Sequence, residues 1–522
     1  MGRKILFITT DQQRYDALGC NGGTIARTPV VDRLAATGIN FRRAHNQNVV
    51  CMPARSTMLT GQYVRTHGVT ANGIPLPLDA PSVAEVLRQN GYRTSLIGKA
   101  HFEPAMDMKG KWFENRVGRE GMSGPYRGFE HLELAMHVPL GSWHYSRWLQ
   151  TEHPEATSGF APLLSAAGGG ETGAPEVAYN PIPREWYHTD WIADRTIAWL
   201  DALPADADWF CWMSFPDPHH PWDPPASEAK RVPWRELDLP PGHPGSKEKI
   251  VDILSQKPRH WLAWWEGRWR NYEGGPMTLV PKDLTDDQIR EVNALTHVEN
   301  ELIDEACGRV LARVAARGWD ADTDVFFTTD HGELQGDYGL LYKGPYHVDS
   351  LMRIPFVWKP APSAGIAPAV IEEPVGQLDL APTFCRIAGV AVPAWMEGAP
   401  LPTAPGSGRE RVITEWDSQF AQIGMHLRTI YRDGFVCTVY EPTTRDQGWD
   451  LARMIAGGPI PLPDLGYDGS EGEIYDVRAD PHQWRNLWSD PGYRTLRDEL
   501  IADLRAHLPA GRATPLRVEA PA

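Results

Sequence analysis

Two apolar runs of strand length, far apart in the chain, constrain the fold more than anything else in the sequence. Residues 4–10 read KILFITT and residues 324–329 read DVFFTT, and an aspartate follows each run, Asp11 and Asp330. Further strand-like runs at 94–98 (TSLIG) and 209–215 (WFCWMSF) are separated from these by helix signals. Thr28-Pro29 opens one helix that Gly38 closes, and Ser82 with Glu85 forms a capping box ahead of a second. Residues 192–201 read as helix, and 289–317 as a long one. This β-α-β rhythm predicts an α/β fold, a large and mostly parallel sheet covered by helices.

Two stretches break the rhythm. Residues 105–185 are rich in Gly, Pro and Trp, and 217–285 carry HPWDPP and WLAWWEGRW. Both are expected to be long insertions at one rim of the sheet, where function concentrates. A Pro- and Gly-rich linker at 400–410 divides a catalytic domain over 1–400 from a smaller one over 410–522. In the second, RVITEW, HLRTIYR, GFVCTVYE and EIYDV precede a helix at 493–508, the pattern of a small antiparallel sheet with one helix.

Charge narrows the partners. With 51 basic and 67 acidic residues the net charge is −16, which disfavours nucleic acid and anionic membrane surfaces as partners. No apolar run approaches the ~18 residues of a membrane span. The start, MGRKILFITTDQQ, lacks the pattern of a secretory signal, and the six cysteines are scattered without metal-ligand spacing. A cytoplasmic protein with buried thiols is expected.

The polar residues at the strand ends carry the first chemical signal. Asp11-Gln12 and Asp330-His331 both lie where the carboxyl ends of parallel strands place ligand sites. Carboxylates, an amide oxygen and an imidazole together suit one divalent cation. Each aspartate alone would equally serve as a cap after its strand.

Residues 51–61, CMPARSTMLTG, are sharper: Cys51-x-Pro-x-Arg55 followed by Leu-Thr-Gly. This segment resembles the type I sulfatases of the alkaline phosphatase superfamily, in which that cysteine is converted after translation to formylglycine. Ala54 stands where the usual motif has Ser. Further matches follow in family order. GYRTSLIGKAH (91–101) resembles the second sulfatase signature and supplies Lys99 and His101; PHHP (218–221) supplies His219; TTDHGELQGDYGLLYKG (328–344) supplies the metal strand end and Lys343. SLMRIPFVW and EIYDVRADPHQWRNLW extend the resemblance over nearly the whole chain.

The resemblance implies an alkaline phosphatase-like fold and hydrolysis of a small, anionic sulfate monoester. It implies Cys51 as the source of formylglycine, made by a maturation enzyme, and one divalent ion, Mn²⁺ or Ca²⁺, held by Asp11, Gln12, Asp330, His331 and residue 51. Lys99, His101 and Lys343 would meet the negative oxygens, His219 would protonate the departing alcohol, Arg55 would hold the diol and ligand carboxylates, and Asn72 would touch a substrate oxygen. One hydroxyl of the hydrated aldehyde attacks sulfur and the other, losing its proton, expels sulfate. Gln12 and His331 depart from most sulfatases and resemble the formylglycine-dependent phosphonate monoester hydrolases, whereas Lys99 and His101 resemble the sulfatases. A phosphonate monoester or phosphodiester hydrolase with overlapping activity is the alternative, and a homo-oligomer is left open.

Overall fold

Side chains along a strand alternate between faces, so a strand apolar at every position needs apolar layers on both sides. The computed structural model describes residues 2–105, 110–138, 141–156, 169–271, 273, 275–276, 278–418, 424–442 and 465–520. It meets that demand with two cores. Ile5, Phe7, Phe210, Trp212 and Phe326 point into one; Leu6, Ile8, Trp209, Cys211, Met213, Val325 and Phe327 point into the other.

The sheet has eight strands: β1 (Lys4–Thr10), β2 (Ile39–His45), β3 (Arg93–Gly98), β4 (His131–Leu134), β5 (Trp209–Ser214), β6 (Thr323–Thr329), β7 (Phe356–Lys359) and β8 (Ala369–Gly376). Their order is β4-β3-β5-β1-β6-β7-β2-β8. β7 runs antiparallel to both its neighbours, and every other adjacent pair is parallel. Hence β1, β2, β3, β5 and β6 all end on the same rim. Helices Cys51–Thr60, Val83–Gln89 and Leu380–Ile387 cover one face, and Pro29–Thr37, His188–Ala202 and Asp286–Ala316 the other.

The region expected as an insertion over 105–185 contributes more than a loop, because its β4 pairs with β3 and forms one edge of the sheet. Helix starts also differ in detail. Thr28 does not cap its helix; its hydroxyl accepts from the Gly19 amide at 3.0 Å and donates to Asp32 at 3.2 Å. Asp304, on the long helix, takes over, accepting from the amides of Val30 (3.0 Å) and Val31 (2.9 Å). Ser82 accepts from the Ala84 and Glu85 amides, but the Glu85 carboxylate pairs with Arg88 instead of closing a box. The long helix begins with the box Thr285–Gln288.

After residue 410, β9 (Arg411–Asp417), β10 (His426–Arg432), β11 (Phe435–Glu441) and β12 (Gly472–Asp476) form a four-stranded antiparallel sheet. Helix Arg494–His507 covers one face through Leu500 and Leu504. The other face packs Val412, Trp416, Leu427 and Tyr440 against Trp261, Trp264, Trp265 and Trp269 of the second insertion and against Val49 and Val50, just ahead of Cys51. The tryptophan cluster is therefore core packing, and no helix among the described residues is long and apolar enough to cross a membrane.

Because Asp304 caps from a distant helix, Asp304→Ala is expected to lower stability by about 1–2 kcal/mol, in the range of a lost cap. Chemical denaturation checks this: the midpoint should fall with the slope unchanged.

Candidate active site

Four parallel strand ends converge on one guanidinium. Arg55, fully buried on the helix that starts at Cys51, donates from Nε to Asp330 Oδ2 (2.9 Å) and from Nη2 to Asp11 Oδ2 (3.3 Å). Its Nη1 donates to the Lys99 carbonyl and to Ser214 Oγ, each at 2.9 Å. Asp11, Lys99, Ser214 and Asp330 follow or end β1, β3, β5 and β6. Gly98 makes the Lys99 approach feasible: at φ +107° it carries no Cβ, and one would lie 1.7 Å from the Ser214 carbonyl oxygen.

Cys51 sits at the mouth of its helix, with Sγ 3.2 Å from His331 Nε2, 3.7 Å from Asp11 Oδ1 and 4.0 Å from Lys99 Nζ. Burial, with Asp11 adding to it, pushes the thiol up to about 12. As a plain thiol this side chain is neutral and unreactive near pH 7. Asp11 behaves oppositely. Burial alone would raise its carboxyl, but Lys99, Arg55 and His331 outweigh that and hold it well below the usual range. Lys99 also forms an ion pair with Asp11.

Asp11, Cys51, Asp330 and His331 form the one group among the described residues whose potential metal-ligating atoms all lie within 4.8 Å of one another. The donor chemistry fits a divalent cation. His331 Nδ1 faces the Gly332 carbonyl at 2.9 Å, which leaves Nε2 as the inward lone pair. Asp330 Oδ1 is oriented by the amides of Gln12 (3.1 Å) and His331 (2.9 Å), and Gln377 fixes the strand end through the Thr329 and Asp330 carbonyls. Gln12, the remaining expected ligand, follows Asp11; its amide oxygen accepts from Lys343 Nζ at 2.6 Å, and its amide nitrogen donates to Glu333. Its φ of 62° places it in the strained left-handed region, as does the 60° of His101.

The remaining predicted residues ring this centre. Lys343 Nζ donates to His219 Nε2 at 2.7 Å, and His219 Nδ1 faces the His220 carbonyl. His219 is therefore a neutral imidazole in the free site, held well below its ordinary pKa by burial and then by His220 and Lys343. His101 is fixed through its backbone by Glu114, yet both ring nitrogens are buried without a partner among the described residues. Such orphans mark a place where another molecule completes the bonding. Asn72 accepts from the Met52 amide (3.0 Å), bracing the first turn of the Cys51 helix, and donates to Glu273 (3.3 Å).

Several residues of the site carried no usable sequence signal. His137, from the first insertion, stacks on His219 with ring centroids 4.3 Å apart and lies 3.3 Å from Lys99 Nζ. His220 stacks on the other face of His219 at 3.9 Å. The doubled histidine of PHHP was the one available hint of this stack.

With the geometry in place, similarity to known proteins decides the family. The family model described as Sulfatase matches residues 3–390, most of the chain. The chain belongs to the sulfatase family. It is a sulfuric ester hydrolase by that membership, and the family generally uses a metal ion and formylglycine. Among its relatives, the sulfatase shares 26% identity over 518 residues with the multifunctional alkaline phosphatase superfamily protein PehA of Trinickia caryophylli, covering 95% of this chain and 93% of that protein. It shares 25% over 412 residues with the arylsulfatase of Clostridium perfringens, covering 77% and 78%. The solved phosphonate monoester hydrolase of Agrobacterium radiobacter superposes with a TM-score of 0.73 at 24% identity, over 97% of this chain and 95% of that one, and so shares the alkaline phosphatase-like fold.

Two outcomes are expected. Added Mn²⁺ or Ca²⁺ should raise the melting temperature of the wild-type sulfatase, by an amount equivalent to about 2.7 kcal/mol at a hundredfold excess over Kd, and Asp330→Asn should abolish the shift. Arg55→Met leaves the buried Asp330 without a cationic partner and Asp11 with Lys99 alone, and should cost about 3–5 kcal/mol in a metal-free denaturation experiment.

Proposed function

We propose that this sulfatase hydrolyses a small sulfate monoester, with formylglycine made from Cys51 by a maturation enzyme and one divalent ion at Asp11, Asp330 and His331. The observation that carries this reading is the setting of Cys51: it belongs to the cation-ligating group and lies 4.0 Å from Lys99 Nζ, with Lys343, which holds His219, among the cations acting on it. When present, the hydrated aldehyde supplies the nucleophile and the metal ion the Lewis acid.

The chain's own residues do the rest. Lys99 and Lys343 bring fixed positive charge to an ester whose oxygens gain negative charge in the transition state. Arg55 keeps Asp11 and Asp330 in one orientation so that this charge costs no reorganisation. His219 passes a proton to the leaving oxygen, a proton it takes up once the bound anion offsets the burial and the neighbouring Lys343 that keep the free imidazole neutral, while Lys343, 2.7 Å away and held above its ordinary pKa, keeps its own charge. His101, with its unpartnered ring nitrogens, offers a hydrogen bond to the ester oxygens. The six cysteines are unpaired thiols, which supports a reducing, cytoplasmic setting.

A second reading has its own support. Gln12 and His331 resemble the phosphonate monoester hydrolases, and a sulfate monoester and a phosphonate monoester carry the same single charge near neutral pH. A phosphate monoester is largely dianionic there, since its second pKa is about 6. Ranking of the two monoanions then rests on the transition state rather than on ground-state charge.

Catalytic efficiency on aryl sulfate, aryl phosphonate and aryl phosphate with one common leaving group tests the reading. Sulfate is expected to lead, phosphonate to follow, and phosphate to trail far behind. A phosphonate lead of orders of magnitude would install the alternative. Peptide mass spectrometry of protein co-produced with a maturation enzyme should show the thiol-to-aldehyde change at Cys51. His219→Gln should lower kcat by about 10²–10⁴ for alkyl esters and much less for nitrophenyl esters, whose leaving group needs no proton.

A further inference from the structure

A site built for an anionic ester should exclude unbalanced carboxylates, and Glu273 breaks that rule. It lies on the second insertion, is 6% exposed, and interacts with Lys343. One oxygen, Oε2, accepts from Asn72 Nδ2 at 3.3 Å; the other, Oε1, is buried with no hydrogen-bond partner among the described residues. The other buried carboxylates of the site are compensated. Asp11 and Asp330 face Arg55, and Glu333 accepts from Gln12 and from the amides of Gln335 and Tyr342. Glu273 makes no ion pair within 4 Å among the described residues.

The placement of Glu273 is built, not incidental. Its backbone amide donates to Asn271 Oδ1 at 3.2 Å, and Asn271 in turn donates to the Lys343 carbonyl. The segment that carries the carboxylate is thus latched to the segment that presents Lys343. From the first insertion, Glu176 lies beside the Tyr342 hydroxyl and also interacts with Lys343. Two insertions outside the central sheet therefore bring carboxyls near Lys343, each pushed up to about 7 by burial, so that a cationic ligand would favour their ionised forms.

An unpaired buried acceptor is costly unless a ligand completes it. A primary ammonium is the group that does so best, since it adds the missing charge and N–H donors that a quaternary ammonium lacks. We propose that the substrate is the sulfate monoester of an amino alcohol, with its ammonium seated on Glu273 and its sulfate between Lys99, Lys343 and residue 51. This rests on the sulfate-ester reading above and names the substrate class within it. Glu273 here is a specificity residue, and the zwitterionic ligand matches a site with both signs of charge.

The test compares ω-aminoalkyl sulfates of two to four carbons with alkyl sulfates in which methyl replaces the ammonium. Because the ammonium also improves the leaving alcohol, the decisive quantity is how the aminoalkyl-to-alkyl ratio of kcat/KM changes between wild type and Glu273→Gln. The ratio should fall at least tenfold in the variant, chiefly through KM. An unchanged ratio overturns the proposal. Independently of the variant, 3-aminopropan-1-ol should inhibit the wild-type enzyme competitively at least tenfold better than butan-1-ol, and equal inhibition overturns the proposal as well. The same pairs made as methylphosphonate esters separate the two readings. Turnover of phosphonates alone, with charge preference kept, removes the sulfate assignment but supports the role of Glu273; sulfate turnover without charge preference removes only that role.

Discussion

Arg55 faces a demand that only this arrangement of strands can meet. A guanidinium with no solvent exposure must satisfy its N–H groups within the protein, and four of the five find partners at the ends of β1, β3, β5 and β6. The carboxylates of Asp11 and Asp330 would be equally untenable alone, since two buried negative charges side by side oppose ionisation and folding. The three groups therefore exist as a unit. The helix carrying Arg55 also carries Cys51, so satisfying this charge network places the nucleophile position among the metal-ligating donors. Packing, electrostatics and chemistry are fixed by one side chain.

Around that unit, positive charge is held without being neutralised. Lys99 is committed to Asp11, but Lys343 donates to two neutral partners, Gln12 and His219, and retains its charge for a ligand. The imidazoles of His101, His137, His219 and His220 are all kept neutral, by burial first and then by the neighbouring cations or imidazoles. Such a site is prepared for an anion before one arrives, and its dipoles need not reorient during reaction. The strained backbones of Gln12 and His101 are tolerated because neighbouring groups, Asp330 and Glu114, bind their amides.

The second sheet buttresses this rim. Its apolar face meets the tryptophan cluster of 261–269, and the same core includes Val49 and Val50 immediately before Cys51. Asn271 and Glu273, which follow that cluster, bond to Lys343 and Asn72. Packing far from the chemistry is thereby coupled through a short stretch of chain to both the nucleophile helix and the substrate lysine. Large aromatic side chains suit this role because each buries much area in few rotamers.

The sequence by itself determined the class of fold and most of the central chemistry. Strand runs apolar at every position demand cover on both faces, and their terminal Asp-Gln and Asp-His pairs declare the functional rim. The ordered motifs around Cys51, Lys99, His219 and Lys343 carry the family, because the spacing of reacting groups along each strand end or helix start is local. What only the tertiary structure decided is everything that depends on partners distant in sequence. Asp304 displaces Thr28 as a helix cap, the Gln12 oxygen turns to Lys343, His137 joins the His219 stack, β4 becomes a sheet edge, and Glu273 keeps one oxygen that no described residue pairs. The reason is physical. A residue type states what bonds a side chain is able to make, but inside a protein the bond it makes is set by which groups are buried beside it, and burial is a property of the folded chain.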